Sequence, residues 1–510
     1  MANELPQKLQ KLNNLGDLFN RDKDPDKIAL IEQAPEGPPR RFSHGEINLA
    51  AAAVARGLVA RGYRAGERIA ILAANSTEYL SAYLGTMRAG MVSVPVNFKF
   101  PRNTIHYILE DAGIKLIFRD REQRDKCPEG LPAVTFGEEG EEGWRRFLDP
   151  GEFDTRHAAP EDIAMFLYTS GSTGKPKGVP LSHSGQIWAM AARARGSADF
   201  EAQRYLIAAP MYHMNALFGA KFCLAMHASM VLLPQFSARA YIEAIGRHQP
   251  TWLTSVPTML ALVAREPEAL AATDLSSVQV VTMGSAPVSQ RLIDEVKQIF
   301  PAARIAINFG TTECGPMNFG PHPDNLPRPD TALGYPLPDV GLRLADGGNR
   351  DADQGVLELL TPANMPGYHN LPEKTAEVTT DDGWYITGDV LRRDENGFHY
   401  FVGRTDDMFV CSGENIYPGE VEKMLEGHPD IQQACVVPVP DEIRGHKPFA
   451  FVVPRNGTRL TEQMVKDYAL ANAPPYQHPR HVEFMTELPL AGTNKVDRNL
   501  LTERALELAA

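Results

Sequence analysis

A glycine- and hydroxyl-rich loop with two lysines follows the apolar stretch Ala164 to Leu167. The loop runs from Tyr168 to Val179 and reads Tyr-Thr-Ser-Gly-Ser-Thr-Gly-Lys-Pro-Lys-Gly-Val. Hydroxyl groups, free backbone amides at glycines and lysine ammonium groups are the groups that hold phosphate oxygens in proteins. The loop therefore predicts a polyphosphate site, and the alternative is a solvated Gly/Ser linker.

The spacing within this loop differs from that of a P-loop. A P-loop has four residues between its glycines and a Ser or Thr directly after its lysine. Here Ser172 and Thr173 separate Gly171 from Gly174, and Pro176 follows Lys175. A proline at that point also argues against the lysine opening a helix. Phosphate binding of another kind is indicated.

Further motifs follow along almost the whole chain. They are Met211-Tyr212-His213, Gly284-Ser285-Ala286-Pro287, Asn308-Phe309-Gly310-Thr311-Thr312-Glu313, Tyr385-Ile386-Thr387-Gly388-Asp389, Gly403-Arg404-Thr405-Asp406-Asp407 and Gly492-Thr493-Asn494-Lys495. In order and approximate spacing, this set resembles the adenylate-forming superfamily. That superfamily includes acyl-CoA and aryl-CoA synthetases, luciferases and the adenylation domains of peptide synthetases. The acid:CoA ligase branch is the one that the chain resembles in particular.

The resemblance implies a set of catalytic residues, Lys495, His213 and Glu313. Lys495 resembles the lysine that touches both the substrate carboxylate and the α-phosphate of ATP, and a solvated surface lysine is the alternative. Thr169 and Glu313 resemble the pair that positions Mg²⁺, a hard ion that prefers oxygen ligands. A buried structural role for Glu313, or a structural role for His213, stays open at this point.

The nucleotide site implied by the resemblance draws on most of the motifs. Asp389 resembles the carboxylate that accepts both ribose hydroxyls, and Arg404 the donor beside it, although a surface ion pair would use the same residue types. Small residues in an adenine slot let the backbone approach a planar ring closely, although a plain strand-to-helix turn would also use them. The residues implied to bind ATP or AMP are Thr169, Ser170, Gly171, Ser172, Thr173, Gly174, Lys175, Lys177, Gly284, Ser285, Ala286, Asn308, Phe309, Gly310, Thr311, Thr312, Asp389 and Arg404.

The acyl pocket is also implied by the resemblance. Its lining would be Trp188, His213, Met214, Asn215, Ser285, Asn308 and Met317. Malonate-type members carry an arginine just before the aromatic-Gly pair, where this chain has Asn308. Nothing there would pair a second substrate carboxylate, so we expect a monocarboxylate with an apolar body, aromatic or medium-chain.

A second half-reaction would use the C-terminal part of the chain. Asp406 matches the position about which the family's small C-terminal domain turns, and Ser412, Gly413 and Glu414 resemble the CoA-binding stretch. Many members have glycine where Cys411 or Ser412 falls, so the chain departs from the pattern here. Conformational steps of this kind exclude water and separate two chemistries.

The elements that must position these residues alternate between helix and short apolar strand. From Phe42 onward the pattern predicts parallel strands with crossover helices, arranged as two doubly wound α/β sheets. Past Gly334, shorter β-type runs predict a small barrel or distorted sheet, and the last part predicts a mobile α+β unit. We expect an N-terminal domain over 1–403, a hinge at 404–407 and a C-terminal domain over 408–510.

Composition narrows the choice of partners and location. The chain of 510 residues has a net charge of -13, which argues against a nucleic-acid or anionic-membrane partner. The five cysteines lack any Cys-x-x-Cys pairing, and reduced buried thiols are expected. Neither a secretory signal nor a membrane span is recognisable, so a cytoplasmic location is expected. The oligomeric state, including a homodimer, stays open.

Together these features predict an ATP-dependent acid:CoA ligase that uses ATP, Mg²⁺ and CoA. It would form an acyl-adenylate and pyrophosphate from the acid and ATP, and then transfer the acyl group to CoA with release of AMP. The alternatives are an acyl-AMP ligase that loads a carrier protein and a catalytically silent nucleotide-binding homologue.

Overall fold

The computed structural model describes residues 9, 11–33, 37–169, 175–195, 199–455, 457–491 and 495–509. Its strands are β1 (Ile28–Glu32), β2 (Arg40–Ser43), β3 (Arg68–Leu72), β4 (Val92–Pro95), β5 (Leu116–Arg119), β6 (Ala133–Thr135), β7 (Ile163–Thr169), β8 (Lys177–Ser182), β9 (Arg204–Ile207), β10 (Ser229–Leu232), β11 (Trp252–Ser255), β12 (Val280–Gly284), β13 (Arg304–Asn308), β14 (Phe319–Gly320), β15 (Tyr335–Pro336), β16 (Gly341–Ala345), β17 (Gln354–Leu360), β18 (Tyr385–Arg393), β19 (His399–Arg404), β20 (Phe409–Cys411), β21 (Glu414–Ile416), β22 (Ile431–Asp441), β23 (Gly445–Pro454) and β24 (His481–Phe484).

The helices fall between these strands and cover their faces. They are α1 (His44–Ala60), α2 (Thr77–Arg88), α3 (Arg102–Asp111), α4 (Trp144–Phe147), α5 (His183–Ala194), α6 (Met214–Ala225), α7 (Ala238–His248), α8 (Pro257–Val263), α9 (Pro267–Ala271), α10 (Gln290–Ile299), α11 (Pro372–Glu377), α12 (Pro418–Glu426), α13 (Glu462–Asn472) and α14 (Arg498–Ala509), with 3-10 turns at Arg121–Lys126 and Pro475–Gln477. No helix in the described ranges is long and apolar enough to cross a bilayer.

Two mainly parallel sheets form the large N-terminal part of the molecule. One has seven strands in the order β13-β12-β11-β9-β10-β1-β2, and the other has six in the order β6-β5-β3-β4-β7-β8. Only β2 and β8 run antiparallel to their neighbours within these two described sheets. The prediction of two α/β sheets is confirmed, and the burial of every residue of β12 explains why its sequence, Val-Val-Thr-Met-Gly, is mainly apolar.

Local sequence sets where the helices begin. Ser43 caps α1: its hydroxyl accepts from the backbone N–H of Glu46 at 3.2 Å, and the Glu46 carboxylate accepts from the Ser43 N–H at 2.7 Å. This capping box satisfies two N–H groups that the first helical turn leaves without partners. It begins α1 at His44, directly after the cap.

The region past Gly334 is an antiparallel sheet of four strands, in the order β16-β17-β18-β19. Register shifts occur between Val356 and Glu358 and between Val390 and Leu391. Such irregularities bend a strand and increase its twist. The bend in β18 lies next to Asp389, so this sheet sets where that carboxylate is held.

The small C-terminal domain has its own five-stranded sheet and its own core. Strands β21, β20, β23 and β22 are neighbours in that order, and β24 pairs in parallel with β23. On one face of this sheet Val436 packs in a cluster with residues of α12 and α13, including Val465, and on the other face Phe451 packs with Leu501 of α14. All five cysteines of the chain are buried and unpaired.

Two leucines at adjacent positions of α14 test how the small domain is held together. Leu501 is fully buried in the cluster with Phe451, whereas Leu500 is 49% exposed. We expect Leu501→Ala to lower the free energy of unfolding by about 2–5 kcal/mol, because it removes packed methyl groups and leaves a cavity. Leu500→Ala is the matched control, with a change within about 0.5 kcal/mol. Urea unfolding followed by fluorescence would measure both, and equal effects would contradict this packing.

Candidate active site

A large cavity of about 1680 Å³ lies beyond the carboxyl ends of β11, β12 and β13. The four-stranded sheet and the small domain close its other sides. In open α/β sheets this edge is where ligands bind, because loops and helix starts converge there. Residues implied by the sequence that line the cavity are Thr169, Lys177, His213, Met214, Asn215, Gly284, Ser285, Ala286, Asn308, Phe309, Gly310, Thr311, Thr312, Glu313, Met317, Asp389, Arg404, Asp406 and Lys495.

Asp389 is the most buried carboxylate in this wall, with 6% of its surface exposed. Arg404 donates from Nη1 to the Asp389 Oδ1 atom at 3.0 Å. The backbone N–H of Asp389 donates to the Thr387 hydroxyl, also at 3.0 Å. Burial raises the pKa of Asp389 to about 6, while Arg404 and Lys495 oppose that rise. At pH 7 Asp389 is therefore mainly ionised and can accept hydrogen bonds from two hydroxyl groups.

Lys495 reaches the cavity from the small domain, in the turn before α14. Lys495 is an exposed residue overall, yet its ammonium group is close enough to Asp389 and Arg404 for both of their charges to act on it. Desolvation lowers the pKa of Lys495, and the Asp389 carboxylate raises it. The three remaining residues of its motif, Gly492 to Asn494, lie outside the described residues.

His213 lies directly before α6 and lines the cavity. Burial lowers its pKa to about 3, with Lys495 and Lys99 adding to the effect. The imidazole is thus neutral at physiological pH. Its Nε2 atom is buried and has no hydrogen-bond partner among the described residues, so it is available to a ligand.

Glu313 is held by Tyr368, a residue that no motif marks, and Tyr385 of the Tyr-Ile-Thr-Gly-Asp motif lies beside Tyr368. The Tyr368 hydroxyl donates to Glu313 Oε1 at 2.9 Å and lies 3.4 Å from the Tyr385 hydroxyl. Burial first, then the Glu313 charge, raises the pKa of Tyr368, which stays a hydrogen-bond donor. Tyr368 contacts Oε1 of Glu313, and Glu313 and Thr169 both line the cavity. This pair of oxygen donors fits a hard divalent cation.

The candidate adenine slot consists of small residues on two neighbouring strands. Gly284 and Asn308 are paired in register at the ends of β12 and β13. Ser285 follows with φ of 69°, a left-handed conformation that costs a non-glycine residue energy and recurs at ligand sites. A Cβ at Gly310 would lie 2.5 Å from the Pro316 backbone, so only glycine fits there. A flat and narrow slot results.

All but one of the residues predicted for the acyl pocket line the cavity. Met214, Asn215 and Met317 line the cavity, and Asn215 Nδ2 donates to the Ser255 carbonyl at 3.4 Å. Trp188 does not line it, and its indole N–H instead donates to Asp339 at 3.4 Å. The placement of Trp188 in the pocket is therefore corrected: α5 turns that face toward the β15–β16 connection.

The phosphate loop is described only in part. Ser170, Gly171, Ser172, Thr173 and Gly174 lie outside the described residues. Lys177 lies in the cavity with Nζ 4.2 Å from the Tyr368 ring, whereas Lys175 is exposed outside the lining, with Nζ 5.2 Å from the Tyr107 ring.

The predicted CoA residues Ser412, Gly413 and Glu414 lie away from the cavity, at the turn of the β20–β21 hairpin. The predicted hinge residue Asp406 accepts from Arg404 Nη2 at 3.3 Å. A Cβ at the neighbouring Gly403 would lie 2.9 Å from the Tyr417 side chain of the small domain. The chain is thus tightly packed where it passes from one domain to the other.

The small domain is docked on α10 of the large domain by polar contacts. Arg291 donates from Nη1 to the carbonyls of His428 at 2.8 Å and Glu426 at 3.3 Å, and also to that of Ile431. Arg455 pairs with Glu295, one turn further along α10. These contacts hold Lys495 over the cavity in this arrangement of the domains.

Comparison with known proteins adds the family. The sequence model of the AMP-binding enzyme family matches residues 20–369, and that of the AMP-binding enzyme C-terminal domain matches residues 420–495. The chain belongs to the AMP-binding enzyme family. Its resemblance to the adenylate-forming superfamily is confirmed by these matches.

Individual AMP-binding enzymes are similar over nearly the full chain. A feruloyl-CoA synthase of Amycolatopsis sp is 31% identical over 469 residues, 89% of this chain and 92% of the relative. A fatty acid–[acyl-carrier-protein] ligase, ScoC, of Streptomyces coeruleorubidus is 31% identical over 483 residues, 91% of this chain and 92% of the relative. The crystal structure of the anthranilate CoA ligase AuaEII with anthranoyl-AMP superposes with a TM-score of 0.87 at 25% identity, covering 99% of this chain and 100% of that chain. The matches support an adenylate-forming acid–thiol ligase.

The raised pKa of Asp389 makes nucleoside binding depend on pH. A ligand whose ribose hydroxyls donate to Asp389 binds the ionised carboxylate, so affinity falls as pH drops through about 6, by about tenfold per pH unit below it. Calorimetric titration with adenosine between pH 5 and 8 measures this, because adenosine has ribose but no titrating phosphate. Asp389→Asn should bind more weakly and lose the pH dependence.

An exposed aspartate elsewhere serves as the control. Asp382 pairs with Arg343 at 2.8 Å and does not line the cavity, so Asp382→Asn should keep the wild-type profile. Adenosine affinity that stays constant from pH 8 to pH 5 in the wild-type protein would contradict the role of Asp389.

Proposed function

We propose that this protein is an ATP-dependent acid:CoA ligase that works in two steps. The acid and ATP give acyl-AMP and pyrophosphate, and acyl-AMP and CoA then give acyl-CoA and AMP. One observation carries the proposal: Lys495 of the small domain shares one cavity with Asp389, Glu313 and His213 of the large domain. A cation, two carboxylates and a neutral imidazole around a pocket for a nucleotide are the groups that adenylation needs.

In the proposed first step, the substrate carboxylate attacks the α-phosphorus and pyrophosphate leaves. Negative charge builds up on the phosphoryl oxygens, and positioned cations stabilise it in the transition state. Lys495 is the cation placed to contact both the carboxylate and the α-phosphate. Asp389 and Arg404 hold the ribose, which fixes the α-phosphorus relative to Lys495.

Thr169 and Glu313 are proposed to hold Mg²⁺. The bound ion would supply positive charge beside the phosphate oxygens. The Tyr368 hydroxyl orients the Glu313 carboxylate by its hydrogen bond to Oε1. Lys177, whose ammonium lies over the Tyr368 ring, adds a second positive charge on the same side of the cavity.

The acid is proposed to be a carboxylate with an apolar body, aromatic or medium-chain. Met214, Phe218 and Met317 supply apolar wall beyond the reacting centre. Asn308 lies where malonate-type members have an arginine, and its neutral amide carries no charge to pair a second carboxylate close to the first. Asn215 is available for one polar substituent.

For the second step, we propose that the chain turns at 404–407, between domains 1–403 and 408–510. The separate core of the small domain, which begins at Phe409, supports a rigid-body movement. The polar docking by Arg291 and Arg455 can be exchanged for water. The turn would withdraw Lys495 and bring Ser412, Gly413 and Glu414 to the cavity, where CoA would enter. Cytoplasmic location and a homodimer stay predictions.

Pyrophosphate release with ATP and Mg²⁺ tests this proposal, measured over a panel of carboxylic acids with and without CoA. Release that depends on one acid class, with CoA needed for sustained turnover and an acyl-CoA found by mass, is the expected result. Acid-dependent release that CoA never accelerates would move the acceptor to a carrier protein, which the similarity to ScoC makes the second candidate. No release with any acid would contradict the enzymatic proposal.

Lys495→Ala should separate the two steps. We expect adenylation to fall by at least about a hundredfold, because a positioned donor to the transition state is lost. Adenosine affinity should change little. Thioester formation from a synthetic acyl-AMP and CoA should also persist, since the proposed second step does not use Lys495.

Two further variants control this experiment. Lys447 is a small-domain lysine outside the cavity lining, and Lys447→Ala should keep full activity. Lys495→Arg keeps the charge and should retain part of the adenylation. Wild-type adenylation rates in Lys495→Ala would remove Lys495 from the mechanism.

A further inference from the structure

The cavity extends well past the residues that any motif marks. Its inner end is lined by Arg193 at the end of α5, Tyr205 in β9, Phe222 in α6 and Trp252 in β11. Trp252 is the first residue of β11, and Ser255 is the last, near the reacting centre. At about 3.3 Å per residue, the inner end lies roughly 10 Å or more from the edge of the sheet where the acid reacts.

Arg193 carries a positive charge into this inner end. Its guanidinium lies over three aromatic rings, 4.6 Å from the centroid of Trp252, 5.4 Å from Phe200 and 5.9 Å from Phe222. Among the described residues, no hydrogen-bond acceptor or carboxylate pairs with it. Partial burial lowers its pKa, while the residue keeps some accessible surface toward the cavity. Aromatic faces stabilise the charge but accept few of its five N–H groups.

Tyr205 brings a second unused donor to the same place. The residue is 3% exposed, and its hydroxyl is buried with no hydrogen-bond partner in the described part of the chain. It is close enough to Arg193 for the guanidinium charge to act on it. Buried polar groups in native proteins are almost always paired, so the unpaired Tyr205 hydroxyl indicates an acceptor that arrives with the ligand. The partly accessible Arg193 guanidinium lines the same cavity and could donate to that acceptor as well.

We propose that the acid carries an oxygen acceptor at the end remote from its reacting carboxylate, and that Arg193 and Tyr205 bind it. This inference rests on the proposed function. A carboxylate would match the guanidinium best, because it accepts two parallel N–H bonds, and a ketone or phenol oxygen would use the same donors. Short dicarboxylates remain disfavoured, since their second group would reach only the neighbourhood of Asn308.

The spacing also sets the length of the acid. A straight chain of about ten carbons, or two linked aromatic rings, would span the roughly 10 Å between the reacting centre and Arg193. Phe218, Phe222 and Trp252 would contact the apolar middle of such an acid. The substrate class is therefore a long acid that is oxygenated at its far end, with an apolar body between two polar ends.

Three acids of matched length test this inference in the purified full chain: decanoate, the oxodecanoate that ends in a methyl ketone, and decanedioate. An aryl series runs in parallel, biphenylcarboxylate with a distal hydrogen, acetyl or carboxyl group. We expect kcat/KM for acyl-CoA formation to be about tenfold to a hundredfold higher for at least one oxygenated acid than for its hydrocarbon counterpart. A higher kcat/KM for the ketone acid would indicate that the site prefers a neutral acceptor. A higher kcat/KM for the dicarboxylate would indicate that it prefers an anionic one.

Variants at the inner end of the cavity test whether Arg193 and Tyr205 cause the preference for oxygenated acids. Arg193→Met keeps a long side chain but removes the donors, and it should abolish the preference for oxygenated acids while sparing the hydrocarbon acids. Tyr205→Phe should lower that preference several-fold, and it provides an independent test if Arg193→Met does not fold. Arg195→Met is the matched control, because Arg195 is on the same segment, pairs with Asp339 and does not line the cavity.

The outcomes separate this inference from the proposed function. A wild-type preference for the hydrocarbon acids, or an oxygen preference that survives both Arg193→Met and Tyr205→Phe, would overturn the inference and leave the ligase activity standing. Absence of pyrophosphate release with every acid would instead overturn the proposed function. Adenosine binding, measured for each variant, shows that the nucleotide site is still folded.

Discussion

The ion pair between Asp389 and Arg404 is the interaction on which the arrangement of the site depends. The two residues are directly opposite each other on β18 and β19, with 3.0 Å between Nη1 and Oδ1. A carboxylate that is 6% exposed would lose much of its charged form without such a partner. Arg404 is also the last residue of the four-stranded sheet before the chain passes to the small domain. The group that neutralises the buried carboxylate is thus tied to the segment that positions Lys495.

The remaining charges of the site follow from this pair. Glu313 acts on Asp389 as a like charge, and Lys495 acts as an opposite one. Two acidic groups facing one cavity favour cations between them, whether the lysine ammonium or a divalent ion. His213 has the opposite response, since Lys495 and burial both keep it neutral. The cavity wall thus carries both charged and uncharged polar groups. Burial and the distance from Lys495 decide which of these groups is charged.

The strands near the site could be predicted from the sequence because a strand that is buried on both faces appears in the sequence as a run of mostly apolar residues. The small residues after β12 and β13 lie together because parallel strands end at the same edge of a sheet. The meeting of Asp389 with Arg404 was indicated instead by the resemblance to the adenylate-forming superfamily, and the structure places Nη1 and Oδ1 of these residues 3.0 Å apart.

The orientation of α5 could not be predicted in this way. Its sequence places Trp188 and Arg193 on one helix, but only packing against the sheet decides which of them reaches the cavity. The structure turns Trp188 toward Asp339 and leaves Arg193 among aromatic rings. Tyr368 was missed for a related reason: it comes from a loop far along the chain and reaches Glu313 only in the folded protein. No spacing rule carries such information.

The docking of Arg291 and Arg455 on opposite sides of the domain boundary has a consequence for the protein in solution. These contacts join guanidinium groups to carbonyls and to Glu295, so separating them exposes groups that water can solvate at once. None of these groups is apolar, so this contact, taken alone, would offer another copy of the protein no apolar surface to adhere to if it opened. Opening of the contact would therefore favour hydration over self-association.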